Sequence, residues 1–91
     1  MAVKVRIPTP LRSLTGGVDS MDASGADVQS VLAEVCGRFE GMDKRLFKGP
    51  GELNRFVNIY VNNEDIRFLD NLQTPLRDGD DVSIVPAIAG G

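Results

Sequence analysis

A single amphipathic segment near the middle of the chain does most to restrict the fold. From Val28 to Phe39 the apolar residues follow an i, i+3, i+4, i+7, i+11 spacing, which is typical of one face of a helix. Asp27 is a suitable N-cap and Gly41 a suitable C-cap, so the pattern predicts a helix of about 13 residues, ~20 Å long. No other segment predicts a long helix, and this one is long enough to cross one sheet.

Strand-like alternation lies on both sides of this helix. The predicted strands span residues 2–8, 18–23, 56–61, 66–68 and 82–85, and the first two are expected to pair as a hairpin. Turns are predicted at residues 15–17, 62–63 and 78–80, a short helical turn at 42–47, a loop at 48–51, and irregular structure or a single helical turn at 69–76. This order predicts a two-layer α+β domain, a ubiquitin-like β-grasp, with a mixed sheet of four to five strands packed on one main helix. The first and last strands can then lie parallel in the centre of the sheet.

The end of the chain has an unusual composition. Pro86 stops the last strand because proline cannot donate to a sheet ladder. The five residues that follow, 87–91, bear no charged side chain and end in two glycines. We therefore divide the chain into a domain, 1–86, and a flexible tail, 87–91. Glycine has no Cβ, so a narrow enzyme channel could close around such a tail and reach its terminal carbon. The simpler alternative to a tail that an enzyme binds is that residues 87–91 are only a frayed terminus.

Composition excludes several classes of function. The 91 residues suffice for one domain, and a net charge of -3 without a basic cluster argues against a nucleic-acid surface. The N-terminal residues show no secretion signal and no run is long enough to span a membrane, so we expect a cytoplasmic protein that binds neither membranes nor nucleic acid. Histidine is absent and cysteine occurs once, which argues against zinc, iron–sulfur clusters and an active site of the chain's own.

Three further features have ordinary interpretations. Cys36 lies at the edge of the apolar helix face, where a small buried side chain is expected rather than a nucleophile. Asp78, Asp80 and Asp81 fit turn chemistry better than a cation site. Val85 alternates with core positions and should face outward beside the tail. It is either an isolated exposed valine or part of a docking surface.

The whole chain resembles the ubiquitin-like sulfur carrier proteins, the group that contains ThiS and MoaD, and within that group it is most similar to the CysO type. The C-terminal motif is specific for sulfur carriers, and the block around the central strand favours the CysO type over MoaD. The segments that support the resemblance are Val5–Thr9 with Leu11 and Arg12, Thr15–Gly17, Arg55–Asn62, Glu64–Phe68, Asp78–Asp80 and Val85–Gly91.

This resemblance implies that the chemistry takes place at Gly91. A partner adenylyltransferase of the ubiquitin-activating type, similar to MoeB or ThiF, would use ATP to form a Gly91 acyl-adenylate. A sulfur source would then displace AMP and leave a thiocarboxylate. The chain would be a protein co-substrate and not an enzyme, with no cofactor or metal of its own. Partner binding is expected at Val85, Pro86, Ala87, Ile88, Ala89 and Gly90.

For a CysO-type carrier, the resemblance implies sulfur transfer to an activated serine derivative on a pyridoxal-phosphate cysteine synthase. A metallopeptidase of the Mec type would then release cysteine from the tail, and the ATP, pyridoxal phosphate and metal would all belong to partners. Three alternatives remain open. They are a MoaD-like donor to the large subunit of molybdopterin synthase or its tungsten counterpart, a modifier joined through Gly91 to lysines of other proteins, and a plain interaction domain.

Overall fold

The computed structural model describes residues 2–49 and 51–86. Its helices are α1 (Val28–Arg38) and α2 (Met42–Leu46), with short 3₁₀ segments at Thr9–Leu14, Ile66–Phe68 and Asn71–Gln73. Its strands are β1 (Ala2–Arg6), β2 (Ser20–Ser24), β3 (Phe47–Gly49), β4 (Glu52–Leu53), β5 (Val57–Val61), β6 (Glu64–Asp65) and β7 (Asp81–Pro86). No helix in the described ranges is long and apolar enough to cross a membrane.

Five strands form one mixed sheet in the order β2-β1-β7-β5-β6, and β3 pairs with β4 in a separate two-stranded ribbon. β1 and β7 are parallel, whereas β1–β2, β5–β7 and β5–β6 are antiparallel. The first and last strands therefore lie side by side near the centre. The predicted α+β class and β-grasp arrangement are confirmed.

The core lies between the sheet and α1. The inward-facing residues of β1 and β7 alternate strictly with exposed or half-buried ones, as period-2 patterning requires. The Asp27 carboxylate accepts a hydrogen bond of 2.8 Å from the Ser30 backbone N–H, so the predicted N-cap is confirmed. The side chains that are almost fully buried include Val3, Val5, Ile7, Val28, Val31, Leu32, Val35, Met42, Leu46, Ile59, Val82 and Ile84.

Several predicted turns are confirmed by backbone geometry. Asn62 and Asn63 have φ values of 51° and 72°, which suit the two-residue hairpin between β5 and β6. Gly79 has a φ of 89° in the turn before β7. Asp80 accepts hydrogen bonds from the Arg77 backbone N–H and the Asn62 side-chain amide. This acidic cluster therefore stabilises a turn, as predicted.

Two element boundaries around α1 differ from the prediction, namely the start of β2 and the end of α1. β2 begins at Ser20 and not at residue 18. α1 ends at Arg38 because Phe39 adopts an extended backbone, so Gly41 is not its C-cap. Gly41 instead has a φ of 87° and precedes α2, the predicted short helical turn. A left-handed glycine at this position reverses the chain between two helices.

Two segments after α2 have a different structure from the one predicted. Within the predicted loop 48–51, Lys48 and Gly49 belong to β3 and Gly51 lies in a turn before β4, whereas residue 50 lies outside the described residues. The predicted strand 66–68 is a 3₁₀ turn, and the strand that returns from the hairpin is Glu64–Asp65. The Asp65 carboxylate accepts a hydrogen bond of 2.9 Å from the Arg67 backbone N–H. This local side-chain-to-backbone bond competes with the sheet ladder and ends the strand.

Candidate functional site

The strand that leads to the predicted tail is held on both sides. β7 pairs with β1 from Asp81 to Ser83, and with β5 as far as Pro86, which lies opposite Val57. A central strand with two neighbours is among the most rigid elements of a sheet. β7 is therefore held by two strands as far as Ser83 and by β5 alone from Ile84 to Pro86.

Val85 and Pro86 lie on opposite faces of the sheet. Val85 faces outward with 39% of its surface exposed and pairs with Asn58, as predicted from alternation. Pro86 is half-buried on the inner side. On the outer face Val85 is accompanied by polar residues, Asn58 on β5 and Ser83 on β7. The predicted docking role of Val85 and Pro86 stays a prediction.

The other predicted site residues, Ala87, Ile88, Ala89, Gly90 and Gly91, lie outside the described residues, as does the predicted tail 87–91. Their roles stay predictions. The domain that precedes them supplies the position and direction from which they begin.

A cleft on the inner side of the sheet adjoins the end of β7. Its volume is about 270 Å³. It lies between the 3₁₀ segment after β1, helix α2 and the start of β5, and it is lined by Pro10, Leu11, Lys44, Arg45, Asn54, Phe56, Val57, Ile84 and Pro86. Sequence reasoning missed this cleft. The cleft could have been indicated in the sequence only by the adjacent cations Lys44 and Arg45 in a short helix, followed by the aromatic residue Phe56 at the start of the next predicted strand.

Two ion pairs involve residues of the sheet. Arg6 lies 3.3 Å from the Asp81 carboxylate, and Arg67 lies 2.7 Å from the Asp65 carboxylate. The hydrogen bonds from Arg67 hold the pKa of the buried Asp65 carboxyl below its usual value. Both arginines are exposed. Exposed pairs such as Arg6–Asp81 contribute little to stability.

Cys36 is not suited to nucleophilic chemistry. Burial, assisted by the negative charge of Asp43, raises the pKa of its thiol to about 11. The thiol is therefore protonated at neutral pH and weakly reactive. Cys36 faces a separate groove of about 520 Å³ beside Phe47 and Lys48, and this groove is not lined by any residue of β7. Within residues 2–49 and 51–86 no three histidine, cysteine or acidic side chains are grouped to hold a metal ion.

Comparison with known proteins gives a consistent assignment. The chain is 50% identical to the sulfur carrier protein CysO of Mycobacterium tuberculosis, with all of both chains covered. It superposes on a chain of the crystal structure of the Amycolatopsis orientalis BexX/CysO complex with a TM-score of 0.90 and 47% identity, covering 98% of this chain and 99% of that one. It also superposes on the small archaeal modifier protein 1 of Methanosarcina acetivorans with a TM-score of 0.88 and 30% identity, covering 99% and 96%.

The family profile agrees with the resemblance drawn from the sequence. The ThiS family matches residues 5–91, which includes all of β5 and β7 and the C-terminal glycines. The chain therefore belongs to the ThiS family.

Proposed function

We propose that this protein is a sulfur carrier whose C-terminal Gly91 is converted to a thiocarboxylate and donates its sulfur in cysteine biosynthesis. The observation that supports this most directly is the full-length 50% identity to the sulfur carrier protein CysO. The tail 87–91 follows directly from a central strand of a compact domain. That placement suits a protein that other enzymes grip by its C-terminus.

The chemistry of the terminus requires activation by a partner. A C-terminal carboxyl has a pKa near ~3.5, so it is ionised at neutral pH and resists nucleophiles. A partner adenylyltransferase of the ubiquitin-activating type would join the Gly91 carboxylate to AMP, releasing pyrophosphate from ATP. Hydrosulfide, the simplest sulfur donor, would then attack the Gly91 carbonyl carbon, and the C–O bond to AMP would break, with AMP as the leaving group and one proton released. The product is a thiocarboxylate, whose anionic sulfur is the nucleophile in the next step.

The domain contributes position and reach. Five residues follow Pro86, and an extended chain spans at most ~3.3–3.6 Å per residue, so Gly91 can lie about 16–18 Å from the end of β7. That distance is sufficient to enter a partner's active site while the domain stays outside. The protonated Cys36 thiol supports a carrier that acts as a protein substrate and supplies no catalytic group.

The outer sheet face is the surface that we assign to partner docking. It presents Val85 beside Asn58 and Ser83, next to the strand end from which the tail departs. A moderately polar surface of this kind is typical of interfaces that form and dissociate. A carrier must leave one enzyme before it visits the next, so weak docking is an advantage.

Intact mass spectrometry tests the proposed loading reaction. The purified protein would be incubated with ATP, a ubiquitin-activating-type adenylyltransferase and a sulfur donor. We expect a mass increase that corresponds to exchange of one oxygen for sulfur, located at Gly91 by fragmentation. An unchanged mass, with the adenylyltransferase shown to be active on its usual carrier, would contradict the proposal.

A second assay tests the pathway. The thiocarboxylated protein would be mixed with a pyridoxal-phosphate cysteine synthase and an activated serine derivative, or with the large subunit of molybdopterin synthase and its pterin substrate. Sulfur transfer in the first mixture alone supports cysteine biosynthesis. In that case a metallopeptidase of the Mec type would release cysteine from the tail. Transfer in the second alone would instead assign a MoaD-like role.

The likeness to small archaeal modifier protein 1, at 30% identity, favours a modifier as the second candidate. In that case the activated Gly91 would be attacked by a lysine amine of another protein, giving an isopeptide bond and no thiocarboxylate. Adducts of high mass on other proteins in cells, linked through Gly91, would distinguish this function from sulfur transfer.

A further inference from the structure

The cleft at the end of β7 has an apolar floor and an exposed aromatic ring. Leu11 and Ile84 are buried beneath it, whereas Phe56 has 52% of its surface exposed. Large aromatic side chains gain much of their stabilisation from burial, so a half-exposed ring at the edge of a concave site suggests a contact surface. A cavity of roughly 150 Å³ can hold a benzene ring. The cleft, at about 270 Å³, has room for one aromatic or branched apolar side chain.

The rim of this cleft is positively charged. Lys44 and Arg45 are both exposed on α2. No ion pair involves either residue within residues 2–49 and 51–86, whereas Arg6, Arg38, Lys48 and Arg67 each have a carboxylate within 4 Å. The whole chain has a net charge of -3, so this rim is a local region of opposite sign. An acidic group of a partner would find charge complementarity here.

The position of the cleft limits which partner can use it. Pro86 forms part of its wall, and the tail begins at the next residue. An enzyme that binds Gly91 in its active site comes within about 16–18 Å of the end of β7, because five residues join the two. A partner segment that reaches around β7 would therefore meet this cleft on the inner side of the sheet.

We propose that the cleft receives an apolar side chain of the activating adenylyltransferase, and that an acidic residue next to it pairs with Lys44 and Arg45. This inference depends on the proposed sulfur-carrier function. It adds a second contact region, on the side of the sheet opposite Val85, so that the partner holds β7 from both faces. Phe56 and Arg45 then determine how well the carrier is bound before its carboxylate is activated.

The test is ATP–pyrophosphate exchange by a purified ubiquitin-activating-type adenylyltransferase, with carrier concentration varied. For Phe56→Ala and for Arg45→Glu we expect the KM for the carrier to rise by tenfold or more with kcat nearly unchanged, because the contacts serve binding and not chemistry. For Arg45→Glu the KM should also depend less on salt concentration than it does for the unsubstituted protein.

Two variants serve as matched controls. Phe68→Ala removes a ring that is 81% exposed and does not line the cleft. Arg77→Glu reverses an exposed charge in the turn that precedes β7, at the end of the strand away from Pro86. Both should change KM less than twofold. Equal melting temperatures would show that all four variants are folded.

The outcomes separate this inference from the proposed function. If the unsubstituted protein supports no exchange, the proposed activation fails. If it supports exchange but both cleft variants keep KM within twofold, the cleft inference is overturned and the function stands. Methyl NMR of the full chain tests the competing occupant. Nuclear Overhauser contacts between the Ile88 methyl groups and those of Leu11 or Val57 would show that residues 87–91 fill the cleft, which also overturns the inference.

Discussion

Pro86, the last residue of β7, lies opposite Val57, the first residue of β5. The pairing of β7 with β5 thus continues to the end of the strand. Proline has no N–H to extend the ladder, and residues 2–49 and 51–86 already form a continuous cluster of buried side chains. Stability and sulfur loading should therefore depend on different parts of the chain.

Deletion of Gly91 should abolish sulfur loading because the remaining carboxylate, on Gly90, is one residue or ~3.5 Å short of the partner's reactive centre. Replacement of Gly90 by Phe should abolish loading because the bulky side chain blocks a narrow channel. Neither change should alter the melting temperature, since residues 2–49 and 51–86 already contain a continuous buried core between the sheet and α1. Thermal unfolding and intact mass of the two variants check this. A large loss of stability would mean that the terminus is packed in the core, contrary to the expected role.

Leu32→Ala should have the opposite effect. Leu32 lies on the buried face of α1 and has no exposed surface. Its truncation should reduce the free energy of unfolding by roughly 2–5 kcal/mol, through lost transfer free energy and the remaining cavity. Urea unfolding measures the change. Under conditions where the variant remains folded, loading at Gly91 should match the unsubstituted protein, and a loss of loading there would argue against this separation of roles.

Substitution by alanine should change the free energy of unfolding in opposite directions at two glycines. Gly37 lies in α1, and a Cβ at this position would have no neighbouring atom within 4 Å. Gly37→Ala should therefore stabilise the protein by about 0.5–1 kcal/mol, because alanine loses less backbone entropy in a helix. Equal or lower stability by urea unfolding would contradict this.

Gly25→Ala is the matched comparison. A Cβ at Gly25 would lie 2.9 Å from the Cγ2 and the backbone nitrogen of Val31, which is fully buried. Neither atom can move freely, so the substitution should destabilise the fold by about 1–3 kcal/mol. A neutral effect would show that the connection between β2 and α1 can shift to accept a methyl group.

Stability should fall in acid partly through the Asp65–Arg67 pair. The folded-state pKa of Asp65 lies below its ordinary value, chiefly because Arg67 donates side-chain hydrogen bonds to the carboxylate. The unfolded pKa is about 3.9. The stabilisation is therefore fully present above roughly pH 5 and is lost as the pH falls through about 4 towards the folded pKa.

Asp65→Asn is the variant that tests this pH dependence. The difference in free energy of unfolding between the variant and the unsubstituted protein should be largest near pH 7 and should shrink towards pH 3. Asp19→Asn, on an exposed residue, serves as the control for a carboxylate without such a pair. A difference that stays constant between pH 7 and pH 3 would rule out the ion pair as its origin.

Much of the fold could be predicted from periodicity alone. The i, i+3, i+4, i+7 spacing after Val28 identified α1 and its buried face, and period-2 alternation identified β1, β5 and β7. These patterns report burial directly, because each face of an element meets either core or water. Boundaries were less predictable: hydrogen bonds and backbone turns, such as those at Asp65 and Gly41, decided where the strands and helices end.

Periodicity and the order of the elements along the chain were sufficient to predict the β-grasp architecture, because burial repeats with the period of each element. The resemblance of whole segments to sulfur carriers predicted the family that the ThiS match shows, and the role of Gly91 stays a prediction. Only the tertiary structure brought Pro10, Lys44 and Phe56 to one cleft beside Pro86. These residues belong to three separate segments, and no periodicity relates them. Their proximity results from the packing of α2 and the first 3₁₀ segment against the end of the central strands.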